Sequence, residues 1–206
     1  TGQDLRFGPL FYEEMAGQIQ WTKEGLTILE AGLLKEQSSI TVTGRILSSN
    51  PVGFDLEAKA QGFKLQDLKQ SGVFPAGFDL EGQLNGSLIL TGTSLQPSLQ
   101  IIGGLSQGSV NTIPVTGDFN LFYSNQRIII NQIQLRQEKG TLTARGVWEN
   151  NQSIKIQIQV MDFPVAVFNS LFKLPFKMGG VINSQIDFEW SVERVIGQYR
   201  VEGAAF

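Results

Sequence analysis

Seven consecutive residues, Ile154-Lys155-Ile156-Gln157-Ile158-Gln159-Val160, alternate apolar and polar without a break. Successive side chains of a strand point to opposite faces, so this period specifies a strand with one buried face. Phe54-Asp55-Leu56-Glu57-Ala58-Lys59-Ala60 has the same form. Shorter copies are Ile40-Thr41-Val42-Thr43, Leu142-Thr143-Ala144-Arg145, Ile133-Gln134-Leu135-Arg136, Gln18-Ile19-Gln20-Trp21, Ile186-Asp187-Phe188-Glu189 and Tyr199-Arg200-Val201-Glu202. Turn residues separate them, as at Lys23-Glu24-Gly25, Ser48-Ser49-Asn50-Pro51, Ser124-Asn125-Gln126 and Glu149-Asn150-Asn151. Short strands with turns at such spacing predict an all-β meander in a long antiparallel or mixed sheet.

Two segments leave the period. Asp162 to Phe172 reads as a short helix, with Asp162 as its cap and Pro164 in an early helical position. Val165, Phe168, Leu171 and Phe172 fall on one helical face. This helix either covers the sheet's apolar face or caps a break between units. Phe63 to Leu68 is a weaker copy, and 63 and 163 differ by 100. Gly17 and Gly117, and Phe54 and Ile154, keep that offset. Ser39 to Gly44 matches Thr141 to Gly146 at an offset of 102, and Leu26 matches Ile128 likewise. Leu99-Gln100-Ile101-Ile102-Gly103 aligns with Tyr199-Arg200-Val201-Glu202-Gly203. The chain therefore divides into units of about 1–100 and 101–206, stacked as in a repeat array. At ~4.8 Å per strand, about a dozen to sixteen strands span roughly 60–75 Å.

Composition removes most chemistry. There is no Cys and no His in the 206 residues. Disulfides, His/Cys zinc sites, Cys nucleophiles and Ser-His-Asp triads are thereby impossible. Gly103 to Gly108 lacks the Lys-Ser/Thr ending of a phosphate loop. Glu13 and Glu14 are adjacent, so on a strand they face opposite ways and make no catalytic pair. The expectation is a chain that is not an enzyme and uses no metal or cofactor. A net charge of −3 and the short, mixed clusters at Lys64–Lys69 and Lys173–Lys177 argue against nucleic acid as a partner. No run of ~18 apolar residues forms a membrane-spanning helix. The first residues do not resemble a signal peptide and the last continue the strand pattern, which suggests a stretch of a longer chain.

One long sheet leaves its apolar side to be covered. It folds into a sandwich, closes into a barrel, or curls into an open trough. The strand positions facing that side include Ile19, Leu26, Ile28, Ile40, Val42, Phe54, Leu56, Leu88, Leu90, Leu99, Ile101, Ile128 and Ile130. They continue through Ile133, Leu135, Leu142, Ile154, Ile156, Ile158, Val160, Ile186, Phe188 and Val201. Small residues at Ala58, Ala60, Ala144, Gly82 and Gly86 leave space among them. Trp21, Trp148 and Trp190 fit packing near the strand ends; stacking on sugar is the other use of such rings.

Three segments resemble the TamB/AsmA-like family. Asp162 to Leu171, followed by Met178-Gly179-Gly180-Val181-Ile182-Asn183, is similar to its recurring short helix and glycine-led strand. Phe78 to Leu99, with Gly92-Thr93 and Pro97, is similar to its strand, Gly-Thr, Pro, strand passage. Gly140-Thr141-Leu142-Thr143-Ala144-Arg145-Gly146-Val147 looks like the strand that closes each unit. The pattern departs at Trp190 to Ile196, where Gly-Thr and Pro are missing. The resemblance covers essentially the whole chain, through degenerate patterns of Gly, Pro and alternation. It implies a U-shaped β-groove ("β-taco") whose apolar lining, the positions named above, takes phospholipid acyl chains. It further implies a place in the periplasm and envelope of double-membraned bacteria, or in the chloroplast envelope. There the full-length protein is anchored in the inner membrane, acts in lipid transport and outer-membrane protein assembly, and works with an outer-membrane barrel partner. Two other functions fit the strand pattern: a module that binds outer-membrane protein strands by β-augmentation, and a carbohydrate-binding or adhesive β-sandwich.

Overall fold

Alternation on this scale produces strands almost everywhere. A computed structural model describes residues 2–7, 10–69, 80–110, 113–150, 152–166, 179–192 and 195–204, with the backbone alone given for 2–7, 10–12, 68, 69, 80, 110 and 202–204. The strands are β1 (Gly2–Phe7), β2 (Leu10–Thr22), β3 (Gly25–Lys35), β4 (Ser38–Leu47), β5 (Gly53–Lys64), β6 (Leu80–Thr93) and β7 (Pro97–Val110). They continue as β8 (Ile113–Ser124), β9 (Arg127–Gln137), β10 (Gly140–Glu149), β11 (Ser153–Pro164), β12 (Val181–Ser191) and β13 (Val195–Ala204). The helix α1 (Leu65–Lys69) follows β5.

All thirteen strands form one sheet in chain order, each antiparallel to its sequence neighbours. The mixed pairing left open by the sequence does not occur. Strands β1 and β13 lie at opposite ends of the order and do not pair, so the sheet stays open. No second sheet faces it among the described residues, which removes the sandwich as an architecture. The connections alternate between two rims. One rim carries tight turns, such as the one at Asn125 and Gln126. Both residues have positive φ (51° and 61°), the geometry of a two-residue hairpin that follows strand twist. The other rim carries the long connections after β5 and β11.

Irregularities in the ladder recur at offsets of 100 to 102 residues, and the match of Gly17 to Gly117 slips by two, because the shift after Gln18 recurs after Asn120 and sets Gly17 in the place of Phe119. Register shifts fall between Gln18 and Ile19 and between Asn120 and Leu121; between Ile28 and Ala31, with its counterpart in β9 spanning Ile130 and Ile133; and between Ala60 and Phe63 and between Val160 and Phe163. Bulges bend a strand and increase its twist, so repeating them repeats the curl. At the last pair the extra residue turns left-handed, with φ 61° at Gly62 and 45° at Asp162. Each backbone N–H there donates to an asparagine of the next strand, Gly62 to Asn85 Oδ1 at 2.9 Å and Asp162 to Asn183 Oδ1 at 2.8 Å.

Three further local expectations need correction. The segment from Asp162 is not a helix start: Phe163 and Pro164 remain in β11 and pair with Ile182 and Val181. Only Val165 and Ala166 are helical, and residues 167–178, with Phe168, Leu171 and Phe172, lie outside the described residues. Tertiary pairing overrides the capping signal because Phe163, 1 % exposed, is drawn into the core. Likewise Phe63 and Lys64 pair with Leu84 and Gln83 in the sheet, and α1 begins only at Leu65. The alignment of Leu99 with Tyr199 also slips by two. Ala60 pairs through Gly86 to Gly103, and its counterpart Val160 pairs through Ser184 to Val201, so Tyr199 occupies the place of Ile101.

The core is small and lies toward the long-connection rim. Leu65, Leu105, Val115, Val160 and Phe163 are buried together, with Leu84, Ile113, Leu135, Leu142, Ile158 and Ile182 packed against them. Strands β8 and β11, carrying Val115 and Phe163, would stand about 14 Å apart in a flat sheet. Their membership in one cluster requires the apolar side to be concave there. The sheet is a curled groove, with α1 tied to its edge by an ion pair between Lys35 and Asp67 at 2.6 Å.

Candidate functional site: the apolar face

Register decides which side chains share a face, and here it can be followed strand by strand. One row reads Ile19, Ile28, Gly44, Leu56, Leu90 and Leu99, then Tyr123, Ile128, Trp148, Ile154, Trp190 and Val195. The adjacent row carries Val42, Ala58, Leu88, Ile101, Leu121, Ile130, Gly146, Ile156 and Phe188. A third has Ile40, Ala60, Gly86, Gly103, Phe119, Ile133, Ala144, Ile158 and Ile186. The fourth, nearest the core, has Leu84, Leu105, Gly117, Leu135, Leu142, Val160, Ser184 and Val201. Leu26, Ile46 and Phe54 extend the face toward the tight-turn rim. Every apolar position singled out in the sequence thus stands on the same face. Most are half-buried, screened by neighbouring side chains rather than covered by another layer.

The sequence reading missed Leu84, Leu105, Phe119 and Leu121. Phe122 beside Leu121 interrupts the alternation of β8, and paired glycines interrupt β7, so neither strand shows a clean period. Their signal is the pairing itself: each stands opposite an apolar residue once its hairpin is placed.

Small residues shape the floor. Gly86 and Gly103 pair across β6 and β7, flanked by Ala60. The Phe119 ring lies over Gly103, its Cζ 2.6 Å from where a Cβ would sit. Between Ile40, Ala58, Ala60, Phe63, Leu88 and Phe119 lies a cavity of about 230 Å³ with an entirely apolar accessible wall. Behind it, on the other face, Lys59, Asn85, Ser87, Asp118, Asn120 and Gln132 border an open basin of about 730 Å³. The sheet is thin between the two because Gly86 and Gly103 carry no side chains.

The opposite face is held by polar cross-strand pairs. Lys155 pairs with Glu189 at 3.1 Å, Arg127 with Glu149 at 2.8 Å, and Arg136 with Asp118 at 2.6 Å; Gln157 donates to Asp187 at 2.8 Å. It is not uniformly polar, since Ile89, Phe122, Ile129 and Val147 also sit there. On the apolar face, Ser184 Oγ and Gln137 Oε1 are buried without a hydrogen-bond partner among the described residues. Both lie toward the long-connection rim.

Among the described residues, the rows of the apolar face carry no charged side chain. Glu13 is spent on the backbone, accepting from the Glu36 N–H at 3.2 Å. Gly103 to Gly108 is the middle of β7, not a loop. Among the described residues no group of acidic side chains is placed to hold a metal ion, and no helix is long and apolar enough to cross a membrane. What the face offers is a strip of hydrocarbon surface, several rows wide, running from β2 to β13. Comparison with family models, curated proteins and solved structures finds no match to this chain.

Proposed function

We propose that this chain is a section of a lipid-conducting groove, a scaffold that shelters acyl chains rather than an enzyme. One observation carries the reading: the apolar rows continue across the strands without a charged side chain, and among the described residues no second layer covers them. An acyl chain laid along the groove gains roughly 0.8 kcal/mol for each CH₂ removed from water. Because the rows carry no charged anchor, the chain has little reason to stop at any one strand and can slide along the rows. The head group stays in water at the open side. Small residues along the floor supply width, and the core near the long-connection rim closes one flank.

The envelope of a double-membraned bacterium, or of a chloroplast, is the setting that suits such a groove. Phospholipid is the cargo, and supporting outer-membrane protein assembly beside a barrel partner is the accompanying role. The test is extraction of the purified protein followed by lipid mass spectrometry. Phospholipid is expected with the native chain and is expected to be lost in Ile130→Asp and Ile156→Asp, with the β-sheet circular dichroism unchanged. Native protein that carries no lipid and takes none up from vesicles would refute the reading.

A further inference from the structure

At the tight-turn rim the apolar face ends in a pocket of different character. Tyr123, Ile128 and Trp148 stand side by side on β8, β9 and β10. The two aromatic residues lie two strand spacings apart, ~9.6 Å, with Ile128 between them. Gln126 and Asn150, in the turns after β8 and β10, border the outer side. The Asn150 N–H donates to the Gln126 carbonyl at 3.1 Å, which holds the two turns together. These five residues line a cavity of about 220 Å³ with polar as well as apolar wall, unlike the wholly apolar cavity beside Ala60. None of them is charged. Arg127 and Glu149, their neighbours in sequence, pair with each other at 2.8 Å on the opposite face.

Polarity is graded inward from this rim. On β8 to β12 the rings that carry a polar atom, Tyr123, Trp148 and Trp190, all stand in the outermost row. The all-carbon rings on that side lie deeper, with Phe188 in the second row, Phe119 in the third and Phe163 in the buried cluster. Tyr199 on β13, two rows further in, is the exception. Tyr and Trp suit places where one end of the ring meets hydrocarbon and the other meets water. The core lies at the other rim, so the tight turns form the wet lip of the groove. The rows beneath are deep enough for a tail. Ile154 in the outermost row and Val160 in the fourth are six residues apart on β11, ~20 Å of strand. One leaflet of a bilayer holds its tails in half of a ~30 Å hydrocarbon core.

We infer that this pocket seats the ester-linked glycerol core of a phospholipid, so that the cargo travels with its polar end at the tight-turn rim and its tails in the rows beneath. The inference rests on the lipid-groove reading. Gln126 and Asn150 supply amide donors for the ester carbonyls, and the Tyr123 and Trp148 rings flank the glycerol carbons. The phosphate and head group stay in water beyond the turns. The size agrees: about 220 Å³ is below the ~300–1,000 Å³ of sites for drug-sized molecules and above the ~150 Å³ that holds benzene. A pocket without formal charge reads the ester core and not the head group.

The test compares a diester phospholipid with its diether analogue, which has the same tails and head group but no carbonyls. The native chain is expected to bind the diester more tightly, by about fivefold for each hydrogen bond made. Gln126→Gly/Asn150→Ala is expected to bind the two alike; glycine suits the φ of 61° at Gln126 and keeps the turn. Depth gives a second readout. With Trp148 as the sole tryptophan (Trp21→Phe/Trp190→Phe), lipid brominated near the ester should quench more than lipid brominated at the methyl end. With the reporter moved to the third row (Trp21→Phe/Trp148→Phe/Trp190→Phe/Ile133→Trp), the order should reverse. Equal native affinity for diester and diether, or stronger quenching of Trp148 from the methyl end, overturns the inference and leaves the lipid groove standing. A native chain that binds neither lipid refutes both.

Discussion

Backbone approach sets the tolerance of single positions. Gly44 has φ of 126°, and a Cβ there would stand 2.0 Å from the Asp55 carbonyl oxygen. That oxygen belongs to a neighbouring strand and cannot swing aside as a side chain would. Gly44→Ala is therefore expected to destabilise by on the order of 1–3 kcal/mol, read as a lower urea midpoint with an unchanged slope. A loss below a few tenths of a kcal/mol would mean the strands do not approach so closely. A second residue-scale prediction concerns charge. Lys64 donates to Glu36 across the long-connection rim, and that hydrogen bond and charge hold the Glu36 carboxyl below the usual glutamate range. A lowered acid pKa means the pair's contribution is present at neutral pH and is lost as pH falls through the lowered value. The same contact raises Lys64, so its contribution is present at neutral pH and disappears as pH rises past the raised lysine value. In NMR titration Glu36 should have its midpoint below the ordinary glutamate range, and Lys64→Met should return it to that range. Both side chains are exposed, so added salt should weaken the effect.

At the scale of elements, the bulges are the devices that matter. Asn183 both accepts from the Asp162 N–H and donates to its carboxylate at 3.2 Å. Asn85 accepts from the Gly62 N–H and donates to Ser106 at 3.2 Å. Removing either amide is expected to cost about 1 kcal/mol. Amide exchange should quicken first at Asp162 in Asn183→Ala and at Gly62 in Asn85→Ala, and global unfolding before any local change would count against this role. These elements also show what local sequence conveys. In β9 the change of phase is visible, because Ile128 and Ile130 are even-numbered and Ile133 and Leu135 odd-numbered, with the bulge between them. The capping appearance of Asp162-Phe163-Pro164 misleads, because a helix signal and a bulge followed by the last strand residues use the same residue types. Whether Pro164 continues a strand depends on Val181 beside it, which no local window contains.

Over the whole molecule, alternation and turn spacing are enough to place nearly every lining position on one face. They are not enough to say how strongly that face curls. The curl follows from bulges acting together over many strands, and from Gly103 and Gly146 letting Phe119 and Ile156 close over them. The buried cluster near the long-connection rim is likewise a property of the curled sheet, since Val115 and Phe163 share one cluster only when β8 and β11 are drawn together. Trp148 and Trp190 stand in the row nearest the tight-turn rim, and Trp21 just beyond Ile19 in β2. They report on anything lying in the groove. The central claim, an open hydrocarbon trough that takes acyl chains, is tested most directly by titrating the protein with a brominated phospholipid and following tryptophan fluorescence. Saturable quenching that is abolished in Ile130→Asp and Ile156→Asp is the predicted result. Fluorescence that stays constant, or quenching that both aspartate variants retain in full, would contradict the account.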